Sequence, residues 1–125
     1  MDVLSVTEPD TPREPVLNLP GAMTAILLAL AGIHLFRQIL PLDSDQWIIW
    51  TFGFVPARFD SSLLADRFAE YGGAGAKVWS FITYSFLHAD FTHLAFNMLW
   101  MLPFGSAVAR RFGAIRFFLF LAVAS

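Results

Sequence analysis

The stretch FTHLAFNMLWMLPFGSAVA, Phe91 to Ala109, decides how this chain is read. It contains no Asp, Glu, Lys or Arg. As a helix rising ~1.5 Å per residue it would extend about 28 Å, close to the ~30 Å hydrocarbon core of a bilayer. Two polar side chains interrupt it, His93 and Asn97. Either is costly in lipid unless it faces protein or a water-filled cavity. Four residues apart, they differ by about 40° around a helix axis and share one face. Two readings of that face stand side by side. The pair can form interhelical hydrogen bonds that hold a bundle together. Alternatively, an imidazole and an amide can donate to a single oxygen, stabilising the negative charge that develops on a carbonyl under nucleophilic attack.

His88 lies five residues before His93. On a continuous helix the two would point about 140° apart. The chain has no His-Glu-x-x-His motif and no cysteine, so a metal site is not expected. The lack of cysteine also excludes disulfides and a thiolate nucleophile. Beyond Ala109 come Arg110, Arg111 and Gly113, then an apolar run, Ala114 to Ser125, in which only Arg116 is charged. This run reads as the truncated start of a third transmembrane helix, too short to cross.

Upstream, Leu19 to Phe36 is again free of Asp, Glu, Lys and Arg. With Pro20 at its start and Pro41 as its stop, a transmembrane helix over about 19–40 is expected, with Arg37 snorkelling to the interface. Between the two helices, about 41–90 forms a long connection mixing Trp47, Trp50, Phe52, Phe54, Phe59, Phe68, Trp79 and Phe81 with charges of both signs. Such a mixture suits the headgroup layer, and its length argues for internal structure. A short amphipathic segment is expected around Ser62 to Tyr71, and a flexible break at Gly72-Gly73-Ala74-Gly75. Residues 1–18 carry Pro9, Pro12 and Pro15 and four acidic side chains against Arg13, and read as a disordered tail. That acidity argues against a cleaved signal peptide, which begins with a basic segment.

Composition agrees with a membrane setting. Of 125 residues, 57% are hydrophobic and 14% charged, where a soluble domain has about 25% charged. The net charge of −2 gives no reason to expect nucleic acid as a partner. Arg110, Arg111 and Arg116 crowd the second short turn and assign it to the cytoplasm. The N-terminal tail then shares that side, and the aromatic connection lies outside.

The run Val78-Trp79-Ser80-Phe81-Ile82-Thr83-Tyr84-Ser85-Phe86-Leu87-His88-Ala89-Asp90-Phe91-Thr92-His93-Leu94-Ala95-Phe96-Asn97-Met98 resembles the signature of the rhomboid family of intramembrane serine proteases. Phe104-Gly105, Gly113 and the segment Phe54-Val55-Pro56-Ala57-Arg58-Phe59 resemble further family features, so the likeness runs from about Leu19 to Ser125. The resemblance implies an all-α membrane protein, the N-terminal half of a rhomboid-like polytopic helical bundle: two full transmembrane helices, a long external loop and a truncated third helix. It implies oxyanion stabilisation by His93 and Asn97, a supporting role for His88, and a loop-anchoring role for Trp79. Many members carry Arg where this chain has Ser80 and Glu where it has Ala109; both departures bear on loop anchoring and helix packing.

A third departure bears on activity. The family's nucleophile is a serine in Gly-x-Ser-Gly and its base is a later histidine. Neither occurs here: Ser44, Ser61, Ser62, Ser80, Ser85, Ser106 and the terminal Ser125 all lack that context. An oxyanion hole without a positioned nucleophile and base retains little catalysis. The resulting expectation is a fragment of a rhomboid-type serine endopeptidase, inactive alone and poor at folding alone, resident in the bacterial inner membrane with its N-terminus cytoplasmic. Its partners would be the lipid bilayer and transmembrane protein substrates, with no cofactor implied. The alternatives are a non-catalytic rhomboid-like protein that binds transmembrane clients, and an unrelated small membrane protein in which His93 and Asn97 only join helices.

Overall fold

The computed structural model describes residues 18–59 and 67–124. The expected disordered tail therefore lies outside the described residues except for Asn18, and the first half of the expected amphipathic segment at Ser62 to Tyr71, residues 62–66, also lies outside them. The described residues are helical, with no strand among them.

Helix α1 spans Gly21–Gln38. Pro20 has no N–H to offer but its carbonyl accepts from the amides of Met23 and Thr24, at 2.8 and 3.0 Å, which starts the first turn. At the other end the amides of Ile39 and Leu40 close a tight turn onto Phe36 and Arg37 before Pro41 ends it. Those two prolines set the helix slightly inside the expected 19–40. Met23, Ile26, Leu30, His34 and Arg37 are buried along one stripe of α1, while Leu28 and Leu35 point outward and are exposed.

Helix α2, Leu42–Phe52, follows at once. Asp43 and Asp45 sit in its first turn, where the helix dipole favours negative charge. A 3₁₀ turn, Pro56–Phe59, comes next. Helix α3, Gly73–Thr83, begins where the sequence suggested a flexible break. Gly72 takes φ +88°, a left-handed conformation that starts the helix, and the Trp79 ring lies so close to Gly72 and Gly75 that a Cβ at either would overlap it. The glycines thus seat a tryptophan. Trp79 Nε1 donates to the Thr51 carbonyl at 3.0 Å, and Thr83 Oγ1 donates to the Phe52 carbonyl at 2.6 Å, which ties α3 to the end of α2. Rings of Phe54, Phe59 and Phe81 meet at 5.2–5.6 Å beside them. Another 3₁₀ turn, Tyr84–Phe86, leads to the last helix.

Helix α4 spans Phe91–Ala124 and is broken at Gly113, where φ 79° and ψ 169° leave helical space. The expected turn around Arg110 and Arg111 is therefore narrower than the sequence suggested. Arginine is a good helix former, so the helix runs on until the one residue that adopts a left-handed φ without strain. Phe117, beyond the break, joins a core made with Met23, Ile26, Leu30, Leu94 and Ala109.

Helices α1 and the first arm of α4 run antiparallel. Asn18 and Arg110 meet at one end, with Arg110 Nη1 donating to the Asn18 carbonyl at 2.8 Å. His34 and Phe91 meet at the other, ring centroids 4.6 Å apart. Among the described residues α1 is the one helix long and apolar enough, by length and composition, to cross a membrane. The first arm of α4 was expected to be a second. It carries His93, Asn97 and Pro103, and arginines crowd its far end, which lowers its apolar character. Ala109, where many family members are expected to have Glu, is buried in the core against α1.

Candidate active site

The Leu87 to Asp90 segment between the last 3₁₀ turn and α4 belongs to no helix. Asp90 ends it as the N-cap of α4: its carboxylate accepts from the His93 amide at 2.8 Å and its carbonyl from the Leu94 amide at 3.1 Å. The cap fixes where the helix starts, and so where His93 and Asn97 fall around it. Asp90→Ala is expected to lower stability by about 1 kcal/mol, read from detergent-denaturation midpoints; an unchanged midpoint would remove the cap from this account.

Because His88 precedes the helix, the angle expected for a continuous helix does not apply to it. Its ring swings back to lie 5.2 Å from the ring of His93, edge to face. Its Nε2 lies 3.0 Å from the Asn97 side-chain nitrogen. With the amide placed this way, Asn97 donates and His88 accepts, which requires a neutral imidazole protonated at Nδ1. His88 is buried, while His93 and Asn97 are accessible. All three line a cavity of about 600 Å³. Its walls are apolar: Ile26 and Leu30 of α1, Trp100, Met101 and Phe104 of the first arm of α4, and Phe117, Phe118 and Leu121 beyond the break. The structure therefore gathers the three expected site residues at one polar end of an otherwise greasy chamber.

Burial pushes the His88 imidazole below the ordinary histidine range. The Phe86 backbone carbonyl opposes that shift, and the charges of His93, His34 and Arg37 add to it. The folded state therefore binds this proton less readily than the unfolded chain. Between the ordinary value of 6.5 and the depressed one, the unfolded state holds more protons, so stability is full above that window and falls as pH drops through it. Unfolding midpoints at pH 7.5 and 5.5 should differ in that direction, and His88→Gln should remove much of the difference. Equal slopes in both proteins would discard the assignment.

Two residues at this end escaped the sequence reading. His34 is fully buried in α1, edge-on to Phe91, with Nε2 3.4 Å from the Gln38 side-chain nitrogen. The rule that singles out ionisable residues inside apolar helices covers histidine as well as Asp, Glu, Lys and Arg, and would have found it. Arg37 was expected to snorkel. It is instead 7% exposed and holds Asp45 through Nε and Nη2, at 2.6 and 3.2 Å, while Nη1 donates to the His88 carbonyl at 2.9 Å. A carboxylate and a carbonyl within reach compensate a guanidinium more fully than a half-solvated interface, so the side chain turns inward. Trp79, given a loop-anchoring role by resemblance, holds α3 to α2 through its indole N–H.

Comparison with known proteins fits this geometry. The family model of the Rhomboid domain matches residues 75–125, a range that includes His88, His93 and Asn97. The chain is 27% identical over 105 residues to the rhomboid protease GlpG of Haemophilus influenzae, covering 84% of this chain and 46% of that protein. It is 38% identical over 89 residues to the putative rhomboid protease YdcA of Bacillus subtilis, covering 70% of this chain and 44% of that protein. The chain thus spans less than half the length of these relatives. No solved structure matches it. The signature around His88, His93 and Asn97, the matching domain and the two bacterial relatives agree, and the chain belongs to the rhomboid family.

Proposed function

We propose that this chain carries the oxyanion-stabilising part of a rhomboid-type intramembrane serine endopeptidase acting on transmembrane proteins. The observation that carries the reading is the convergence of His93, Asn97 and His88 on one cavity, with His88 bonded to the Asn97 amide at 3.0 Å. In this reading His93 and Asn97 donate hydrogen bonds to the oxygen of the scissile carbonyl as it gains charge. His88 orients Asn97. The apolar walls of the cavity offer that oxygen few other polar partners. A complete site of this type also needs a serine nucleophile in a Gly-x-Ser-Gly turn and its histidine base, and that motif does not occur in these 125 residues.

The same reading gives a topology. The Asn18–Arg110 bond joins the start of α1 to the arginine-rich break of α4. In this reading Arg110, Arg111 and Arg116 face the cytoplasm, and the His88 end and the aromatic α2–α3 connection face the other side. The many exposed apolar side chains, among them Leu28, Phe96, Leu99, Ile115 and Val123, suit lipid and neighbouring helices better than water.

The test is the complete reading frame that contains this segment, expressed and reconstituted in proteoliposomes with a fluorescent transmembrane substrate. Cleavage that is lost when the Gly-x-Ser-Gly serine is changed to alanine supports the proposal. A frame without that motif, yielding a protein that retains transmembrane clients uncut, would replace it with the client-binding reading.

A further inference from the structure

We propose that the Arg37–Asp45 pair is a positioning device for this site: it fixes the His88 backbone and, through the His88 ring, the amide of Asn97. The inference rests on the role given above to His93 and Asn97 and adds the residues that hold them in place.

His88 needs external support. It lies in the non-helical Leu87 to Asp90 segment, so no helical ladder fixes its carbonyl. The bond that carbonyl makes is to Arg37 Nη1, 2.9 Å away and 51 residues earlier in the chain. Arg37 is itself held rigidly. Its guanidinium meets Asp45 with two parallel bonds, at 2.6 and 3.2 Å, and only a planar fork can make both while sending a third N–H elsewhere. Asp45 in turn sits in the first turn of α2, where the helix dipole favours its charge, and its backbone amide donates to the Pro41 carbonyl at 3.0 Å. One turn earlier on α1, His34 packs edge-on against Phe91, the first residue of α4. The outer end of α1 thus grips the site segment at two points, the carbonyl of His88 and the ring of Phe91.

The pair is partly buried, with Arg37 enclosed and Asp45 22% exposed; such a pair is a weak source of stability, because desolvation offsets much of the attraction, and its better-attested use is to select one arrangement. That suits oxyanion donors, which have to be held within about 0.5 Å of their working positions. The structural chain runs Asp45, Arg37, His88 carbonyl, His88 ring, Asn97 amide; the links between residues are hydrogen bonds of 3.2 Å or less, and the carbonyl and ring of His88 are joined covalently.

The experiment is nitrogen NMR of the full-length protein in lipid bicelles, labelled at histidine rings and asparagine side chains, with protease kinetics measured in parallel. Arg37→Lys and Asp45→Asn are the two variants, because each keeps side-chain volume and loses the fork. Met23→Ala, a core change on the same helix away from this pair and outside the cavity lining, is the control for general loosening. The expected result is that both variants move the Asn97 amide resonance and replace the single His88 tautomer by a mixture, while Met23→Ala does neither. In an active protein kcat should fall by about 10² with KM little changed. Unmoved His88 and Asn97 resonances in both variants would overturn the proposal. Moved resonances with unchanged kcat would instead sink the oxyanion reading and leave the positioning intact. If a single variant fails to fold, the double change Arg37→Met with Asp45→Leu removes both charges together. It should then fold and still release His88, and a retained wild-type tautomer there would be equally decisive against it.

Discussion

Asn97→Ala, made in the uninterrupted reading frame, is expected to lower kcat for transmembrane substrates by about 10²–10³ while leaving KM nearly unchanged. That is the usual cost of removing one oxyanion donor, and it falls on kcat because the bond strengthens only as charge develops on the oxygen. The structure adds a discriminating comparison. Asn97 is held through His88, at 3.0 Å, so His88→Ala should weaken the same step indirectly. His88→Ala combined with Asn97→Ala should then cost little more than Asn97→Ala alone, since residues acting as one unit are not additive. If Asn97→Ala raised KM at constant kcat, the amide would be a substrate-binding group. If it lowered protein stability with activity per folded molecule unchanged, the interhelical-glue reading of His93 and Asn97 would be the better one. Asn97→Asp makes a sharper probe. It preserves shape, but places a carboxylate where an oxyanion is meant to form, and it should be at least as damaging as alanine.

How much of this could be read from sequence differs by region, and for physical reasons. The His-x-x-x-Asn spacing on an uncharged helix singled out His93 and Asn97 as candidates, because the period of a helix and the cost of polar groups in lipid are both local rules. The likeness to the rhomboid signature rested on the same local pattern, and the family comparisons agree with it. The expected α1 needed only its proline boundaries moved inward. What escaped the sequence was long-range. Arg37 near the end of an apolar helix ordinarily snorkels, and nothing local announces that Asp45 and the His88 carbonyl, 8 and 51 residues away, will turn it inward. The 5.2 Å approach of His88 to His93 depends on the helix starting at Phe91 and not earlier, a boundary set by the Asp90 cap. The run Gly72 to Gly75 looked like a flexible break because glycine is permissive. Only the position of Trp79 shows that the same glycines seat a ring.

Gly105→Leu is expected to cost about 1–3 kcal/mol of stability by forcing α1 and α4 apart. In lipid there is little hydrophobic force between helices, so their association depends on close packing at small residues. Gly105 provides that closeness here. A Cβ at this position would lie 2.8 Å from Met23 Sδ and 3.1 Å from Met101 Cγ, and Met23 is fully buried. Alanine therefore already requires the Met23 thioether to move, which a flexible methionine can do at modest cost. Leucine adds three further carbons and leaves no room for both. The displaced contact lies between the Asn18–Arg110 bond at one end of α1 and the His34–Phe91 and Arg37–His88 contacts at the other. A splay centred on Gly105 should therefore also loosen His88 and Asn97. The check is a double-mutant cycle with Met23→Ala, followed by detergent denaturation. Removing the methionine should return most of the loss, giving a coupling of about 1 kcal/mol or more, and should restore the wild-type His88 resonance as well. Additive losses from Gly105→Leu and Met23→Ala would mean that α1 and α4 do not pack through this pair, and the antiparallel approach that brings Arg37 to His88 would have to be redrawn.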